Sequence, residues 1–209
     1  MAAQKSPADE PLSRAARRRN RRLTDILTAT ADVLAEHGYR ETNLDEIAER
    51  LDLTRGSLYH YFASKEELVT TCLDWVATLV NERLSAAARQ QKGTASQRLT
   101  VLIETQLDCI VGEYPQMARL FLQPLDWPEP LQLRSKALRL QHDEIFRSVI
   151  RDGIATGEFT LADEAIALHC LHGAVNYVPV WFRPGCQKDY KEMHTIVARQ
   201  LLRLFRATP

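Results

Sequence analysis

Apolar residues recur every three or four positions along nearly the whole chain, the spacing of a helix face, and no stretch alternates with the period of two that a strand requires. Leu23, Ile26, Leu27, Val33 and Leu34 predict a first helix ending at Gly38, a residue suited to the position just past a helix. Leu44, Ile47, Ala48 and Leu51 predict a second helix of barely two turns, with Thr42 as its expected N-cap and Asp45 in the capping-box position. Thr54 is expected to cap a third short helix running to Tyr61, in which Leu58 and Phe62, four apart, are the core anchors. Ser64 and Glu67 form another capping box, opening a long helix on Leu68, Val69, Cys72, Leu73, Val76, Leu79, Val80 and Leu84 that runs out at Arg89 to Gly93.

Further helices are expected over residues 95–112, from Pro115 through Met117, Leu120 and Phe121, over 130–157, and over 162–182 and 188–206. Pro184 and Gly185 separate the last two, which predicts an antiparallel hairpin. Both hairpin helices are apolar on more than one face, and the surplus face predicts a homodimer joined through a four-helix bundle. The expected fold is all-α with about nine helices: a basic disordered arm at 1–18, a helix-turn-helix domain at 19–66 and a helical ligand-binding and dimerisation domain at 67–209. No linker divides the last two, so one helix belongs to both.

The third helix carries the most telling chemistry. With Leu58 and Phe62 turned inward, Thr54, Arg55, Gly56, Ser57, Tyr59, His60 and Tyr61 face outward or flank the anchors. Hydroxyls, a guanidinium and an imidazole on an exposed helix suit a DNA major groove, although an outward Tyr-His-Tyr also suits a protein interface. Gly56 costs about 1 kcal/mol of helix propensity relative to alanine, so its place inside a helix asks for a reason. The string TNLDEIAERLDLTRGSLYHYFASKEEL, residues 42–68, resembles the N-terminal helix-turn-helix domain of the TetR family of transcriptional repressors at nearly every position. That resemblance implies phosphate contacts by Thr42, Thr54, Tyr59, His60 and Lys65, and approach to base edges by Arg55, Gly56 and Ser57. Asn43 and Leu53 stand where the family often has smaller residues, which bears on operator preference.

Charge sharpens this picture. The chain is neutral overall, with 27 basic and 27 acidic residues. Residues 1–22 nevertheless hold Lys5 and six arginines against Asp9 and Glu10. Cations are unfavourable at a helix start, so Arg18, Arg19 and Arg22 are expected on DNA phosphates or in a minor groove, the alternative being a solvated charged helix. Cys72, Cys109, Cys170 and Cys186 are scattered, as in a reducing cytoplasm, and the first twelve residues lack a secretory apolar core. Residues 165–182 contain no charged side chain but fall short of the ~20 apolar residues a span needs, so no membrane role is expected.

Trp75, Phe121, Trp127, Phe146, Tyr177 and Trp181 are distributed over the C-terminal helices, either as ordinary core or as the lining of a common cavity. The family resemblance implies a small-molecule inducer pocket among them. Trp181-Phe182-Arg183-Pro184-Gly185 further resembles a helix end in regulators that sense acyl-CoA thioesters from fatty-acid or steroid degradation, which implies a role for Arg183 on CoA phosphates. His169 and His172 could bind a metal with His142 or His194, but no thiol or acid follows at ligand spacing. Nucleotide-loop and hydrolase signatures are missing, so neither enzyme activity nor a cofactor is expected. Together these features point to a dimeric repressor on a palindromic DNA operator, released by an inducer. An activator, a ligand-independent DNA-binding module, a drug-type sensor and a helical enzyme or carrier remain alternatives.

Overall fold

Side-chain caps set where most of the helices begin. The computed structural model describes residues 13–114, 127–182 and 189–206. Ser13 accepts a hydrogen bond from the Ala16 amide and starts α1 (Arg14–Glu41). The expected arm boundary at residue 18 therefore falls inside a helix, and residues 1–12 lie outside the described part. At Gly38 φ is +74°, a left-handed value that a glycine tolerates, and the helix kinks there before one further turn.

That kink corrects the expected second cap. Thr42 turns inward, donating its hydroxyl to Gly38 O at 2.6 Å, while Asn43 caps α2 (Leu44–Arg50) by accepting from the Asp45 amide. Asp52, at φ +52°, makes the turn into α3 (Arg55–Tyr59). Thr54 caps α3, accepting from the Ser57 amide at 3.1 Å. Ser64 caps α4 (Lys65–Gln90), although the returning Glu67 carboxylate accepts from Ala63 N rather than from Ser64 N.

A complete capping box of Thr94 and Gln97 opens α5 (Ala95–Leu107), which widens into a π-helical turn over Asp108–Glu113. There Tyr114 N donates to Cys109 O, five residues back, at 2.7 Å. The remaining helices are α6 (Glu129–Ala155), α7 (Glu164–Trp181) and α8 (Tyr190–Leu202), closed by a 3-10 turn at Arg203–Phe205. The all-α expectation holds, with eight α-helices among the described residues; the segment expected from Pro115, with Phe121, lies outside them, as does Arg183. No described helix is long and apolar enough to cross a membrane.

One core runs through the molecule without a seam at residue 66. Ile26, Ile47, Leu58 and Phe62 pack with Leu68 and Cys72 of α4, and the same cluster continues through Leu84, Leu102, Phe146 and Leu171 to Phe205. Helix α4, 26 residues and so about 39 Å long, packs on α1 and on α5 and α6. The turn expected at 157–159 locks α5 in place. Glu158 accepts from the Ala95 and Ser96 amides at 2.9 and 3.0 Å, and these donors hold its carboxyl below the usual range.

Candidate DNA-facing head and C-terminal cavity

Helix α3 is held from below by Leu58 and Phe62, both buried, which leaves its other side chains outside. Arg55 lies 2.9 Å from Asp45 at the start of α2, reaches the Tyr59 hydroxyl at 3.4 Å and covers its ring. The exposed guanidinium is thus held at the surface by a weak, solvent-screened ion pair. Gly56 is exposed, and a Cβ there would meet nothing nearer than Thr54 Oγ1 at 3.9 Å. The chain itself has room for alanine at that point.

Thr42, Arg55, Tyr59 and Lys65 line one groove of about 490 Å³, together with Asn43 and Ser64. Their availability differs. Thr42 is 4% exposed and directs both its amide and its hydroxyl to Gly38 O, so the expected phosphate contact is not presented by a free donor. Lys65 donates to Arg40 O at 2.9 Å above the Tyr39 ring, and burial lowers its pKa. Thr54, Gly56 and His60 lie outside the groove on the exposed side of α3, where Ser57 shares a hydroxyl contact with Thr54. Arg18 and Arg19 are exposed and Arg22 is half-buried; none has a side-chain partner among the described residues.

Among the described residues, the aromatics expected around one cavity occupy separate places. Trp75 stands edge-on to Tyr114, and Phe146 is buried against the His142 and His172 rings. Trp127 belongs to a separate cluster with Leu34 and Ala35 of α1 and Val69 and Leu73 of α4, where it braces the head. Tyr177 and Trp181 are 54% and 53% exposed. Four apart, they share the side of α7 opposite Leu168, Leu171, Val175 and Val178, in an outward stripe with Ile166, Gly173 and Ala174.

A different cavity, of about 230 Å³, opens between α5, α6 and α7. Gln106 of α5 and His172 and Asn176 of α7 line its inner part, with His142 and Asp143 of α6 beside them. Gln106 Oε1, Asn176 Oδ1 and His172 Nδ1 are buried without a hydrogen-bond partner. His172 Nε2 lies 3.2 Å from Asp143 Oδ1, and this contact helps hold the Asp143 carboxyl below the usual range although burial opposes it. His142 Nδ1 meets Asn81 Oδ1 of α4 at 3.1 Å. Burial, then the adjacent His172, push its pKa down to about 3, so the ring is neutral and its Nδ1–H donates to the Asn81 carbonyl.

Lys136 and Arg139 also line this cavity, and neither has a partner among the described residues. By contrast Arg83, Arg98, Arg134 and Arg147 are paired with Glu113, Asp152, Asp74 and Glu164. The four histidines considered as metal ligands are divided: His142 and His172 touch, His169 is exposed at the cavity edge, and His194 pairs elsewhere with Asp108 at 3.3 Å. Sequence reasoning missed Gln106 and Asn176. Gln106 was findable as a polar residue on the apolar face of Leu99, Leu102, Ile103 and Leu107.

Residues 26–72 match the family profile for bacterial regulatory proteins of the tetR family, and residues 92–205 match the tetracyclin repressor-like C-terminal domain. The chain is 28% identical over 186 residues to the HTH-type transcriptional repressor KstR2 of Mycobacterium tuberculosis, covering 83% of this chain and 88% of that one. Its fold matches AibR, solved in complex with isovaleryl coenzyme A and operator DNA, with a TM-score of 0.75 at 18% identity, covering 90% of this chain and 100% of that one. It likewise matches FadR of Bacillus subtilis, solved with stearoyl-CoA, with a TM-score of 0.71 at 21% identity over 87% of this chain and 98% of that one.

Proposed function

The chain belongs to the TetR family of bacterial regulatory proteins, and from that footing we propose that it represses transcription as a homodimer on a palindromic operator and leaves it when an inducer occupies the C-terminal cavity. The observation that carries this reading is the outward face of α3. Arg55 is exposed there, and Gly56 leaves an opening that the chain's own packing does not require. In this reading Arg55, Gly56 and Ser57 approach base edges, and Thr54, Tyr59, His60 and Lys65 hold phosphates. Arg18, Arg19 and Arg22 add sequence-independent contacts.

Dimerisation rests on the outward stripe of α7. A contiguous apolar strip on one helix is a usual mark of an interface. Within it, a Cβ added at Gly173 would meet no atom within 4 Å, which leaves space for a second helix to approach. Two heads related by a two-fold axis then meet two half-sites of a palindrome.

The inducer is proposed to be an acyl-CoA-type molecule, on the strength of AibR and FadR, which bind isovaleryl coenzyme A and stearoyl-CoA. Release requires the inducer to bind the operator-incompetent arrangement more tightly than the competent one. The path available is short: α6 contacts both the cavity and α4, and α4 starts at the head. Gel-shift titration with DNA from the protein's own promoter at about 0.15 M salt tests the reading, since operator-specific complexes form roughly 10³–10⁷ times more tightly than non-specific ones. A selective complex that dissociates on adding inducer is expected; equal binding to any duplex would overturn it.

A further inference from the structure

We propose that the cavity between α5, α6 and α7 recognises a short hydroxyacyl group on an anionic carrier. The inference rests on the reading of this cavity as the inducer site and goes on to its chemistry. Gln106 is 2% exposed, yet its carbonyl oxygen has no partner, and the same is true of Asn176 Oδ1 and His172 Nδ1. Polar atoms buried in this way are costly unless something meets them. They come from two helices and converge on one space, so a single ligand group can satisfy several of them.

A hydroxyl fits that set better than a carbonyl. It donates a hydrogen bond, which the amide oxygen of Gln106 or Asn176 can accept, and its own oxygen still accepts from a neighbouring donor. A carbonyl oxygen accepts only. The inner end also excludes a second negative charge, because Asp143 already stands 3.2 Å from His172. Negative charge is favoured instead beside Lys136 and Arg139, the two cavity cations that lack a partner among the described residues. Size sets the third constraint: an opening of about 230 Å³ beside these polar atoms suits a group of a few carbons.

Calorimetric titration of the full chain with 3-hydroxybutyrate, butyrate, 3-hydroxybutyryl-CoA, butyryl-CoA and stearoyl-CoA tests the proposal. The free acid bears its negative charge on the carboxylate and the thioester on the CoA phosphates, so comparing 3-hydroxybutyrate with 3-hydroxybutyryl-CoA shows which of these supplies the anionic part. At least one of these two should bind about tenfold or more tightly than its own plain counterpart, butyrate or butyryl-CoA, because a site built to hydrogen-bond a hydroxyl rejects the analogue that lacks it. Gln106→Leu and Asn176→Leu should each reduce that preference, and Lys136→Ala should weaken the hydroxylated and plain probes by the same factor. Lys136 is exposed, so its variant remains a test should a cavity variant fail to fold. Equal binding of hydroxylated and plain probes, tightest binding of stearoyl-CoA, or no binding by any probe would overturn the inference. Operator binding by the ligand-free protein is measured alongside: its absence counts against the repressor reading, whereas its presence with no hydroxyl preference counts against this inference alone.

Discussion

His142 of α6 donates from Nδ1 to Asn81 Oδ1 of α4 across 3.1 Å, so a side chain that lines the cavity is bonded to the helix that carries the head. Occupancy that turns the imidazole must either break this bond or move α4 with it. Asn81→Ala should therefore leave inducer affinity of the free protein within about threefold, while changing the inducer concentration that half-releases operator by roughly fivefold or more, the lower end of typical allosteric coupling. Parallel calorimetry and gel shift separate the two quantities. Unchanged release would remove His142 from the coupling path.

The same histidine makes stability depend on pH. Its pKa falls from an ordinary 6.5 to about 3 in the folded protein, so between those values the unfolded chain binds a proton that the folded chain refuses. Stability contributed by this site is full above about pH 6.5 and is lost as pH falls toward 3. Between about pH 7 and about pH 5.5 the loss is about 1 kcal/mol. Urea unfolding at both pH values should show a smaller loss in His142→Gln, which cannot titrate. An identical loss in both proteins would contradict the assignment.

Gly56→Ala should separate folding from function. Alanine is the better helix former by about 1 kcal/mol, and no atom of the chain lies within 3.9 Å of the added methyl. The variant should melt at a slightly higher temperature and bind operator about tenfold more weakly, equivalent to ~1.4 kcal/mol. Fluorescence anisotropy with a labelled duplex reads the second effect, and wild-type affinity would mean that this face does not approach DNA closely.

On α7, Tyr177→Glu places a charge on a residue that is exposed in the isolated chain and buried in the proposed dimer. Sedimentation should show a monomer that keeps its helical signal, melts at a lower temperature because the partner no longer stabilises it, and has lost its operator affinity. A stable dimer in this variant would move the interface elsewhere on the molecule.

Replacing Arg18, Arg19 and Arg22 together with alanine should weaken binding to every duplex alike. The slope of log affinity against log salt should become shallower by roughly 0.9 for each arginine that meets a phosphate. An unchanged slope would leave these residues as a solvated start to α1.

Where the sequence was informative, local chemistry and local structure coincided. Thr54 caps α3 as expected because its oxygen needs only the amide three residues on, and Leu58 and Phe62 are buried because residues four apart lie on the same helix face. Thr42 misled because the deciding partner, Gly38 O, became available only through a kink that spacing does not reveal. The size of Trp127 marks it as buried, but its neighbours Leu34 and Ala35 of α1 and Val69 and Leu73 of α4 follow only from the packing of those helices. Gln106, at a position where periodicity calls for leucine, was a clue to the cavity.

Because α4 runs unbroken from Lys65 to Gln90, the head cannot be exchanged for that of another regulator like a bead on a string. One residue inserted or deleted along it would rotate the head by about 100° and shift it by about 1.5 Å relative to the cavity. A functional chimera must therefore be spliced in register with the helical turn, and frame, more than sequence likeness, decides which grafts still answer to their inducer.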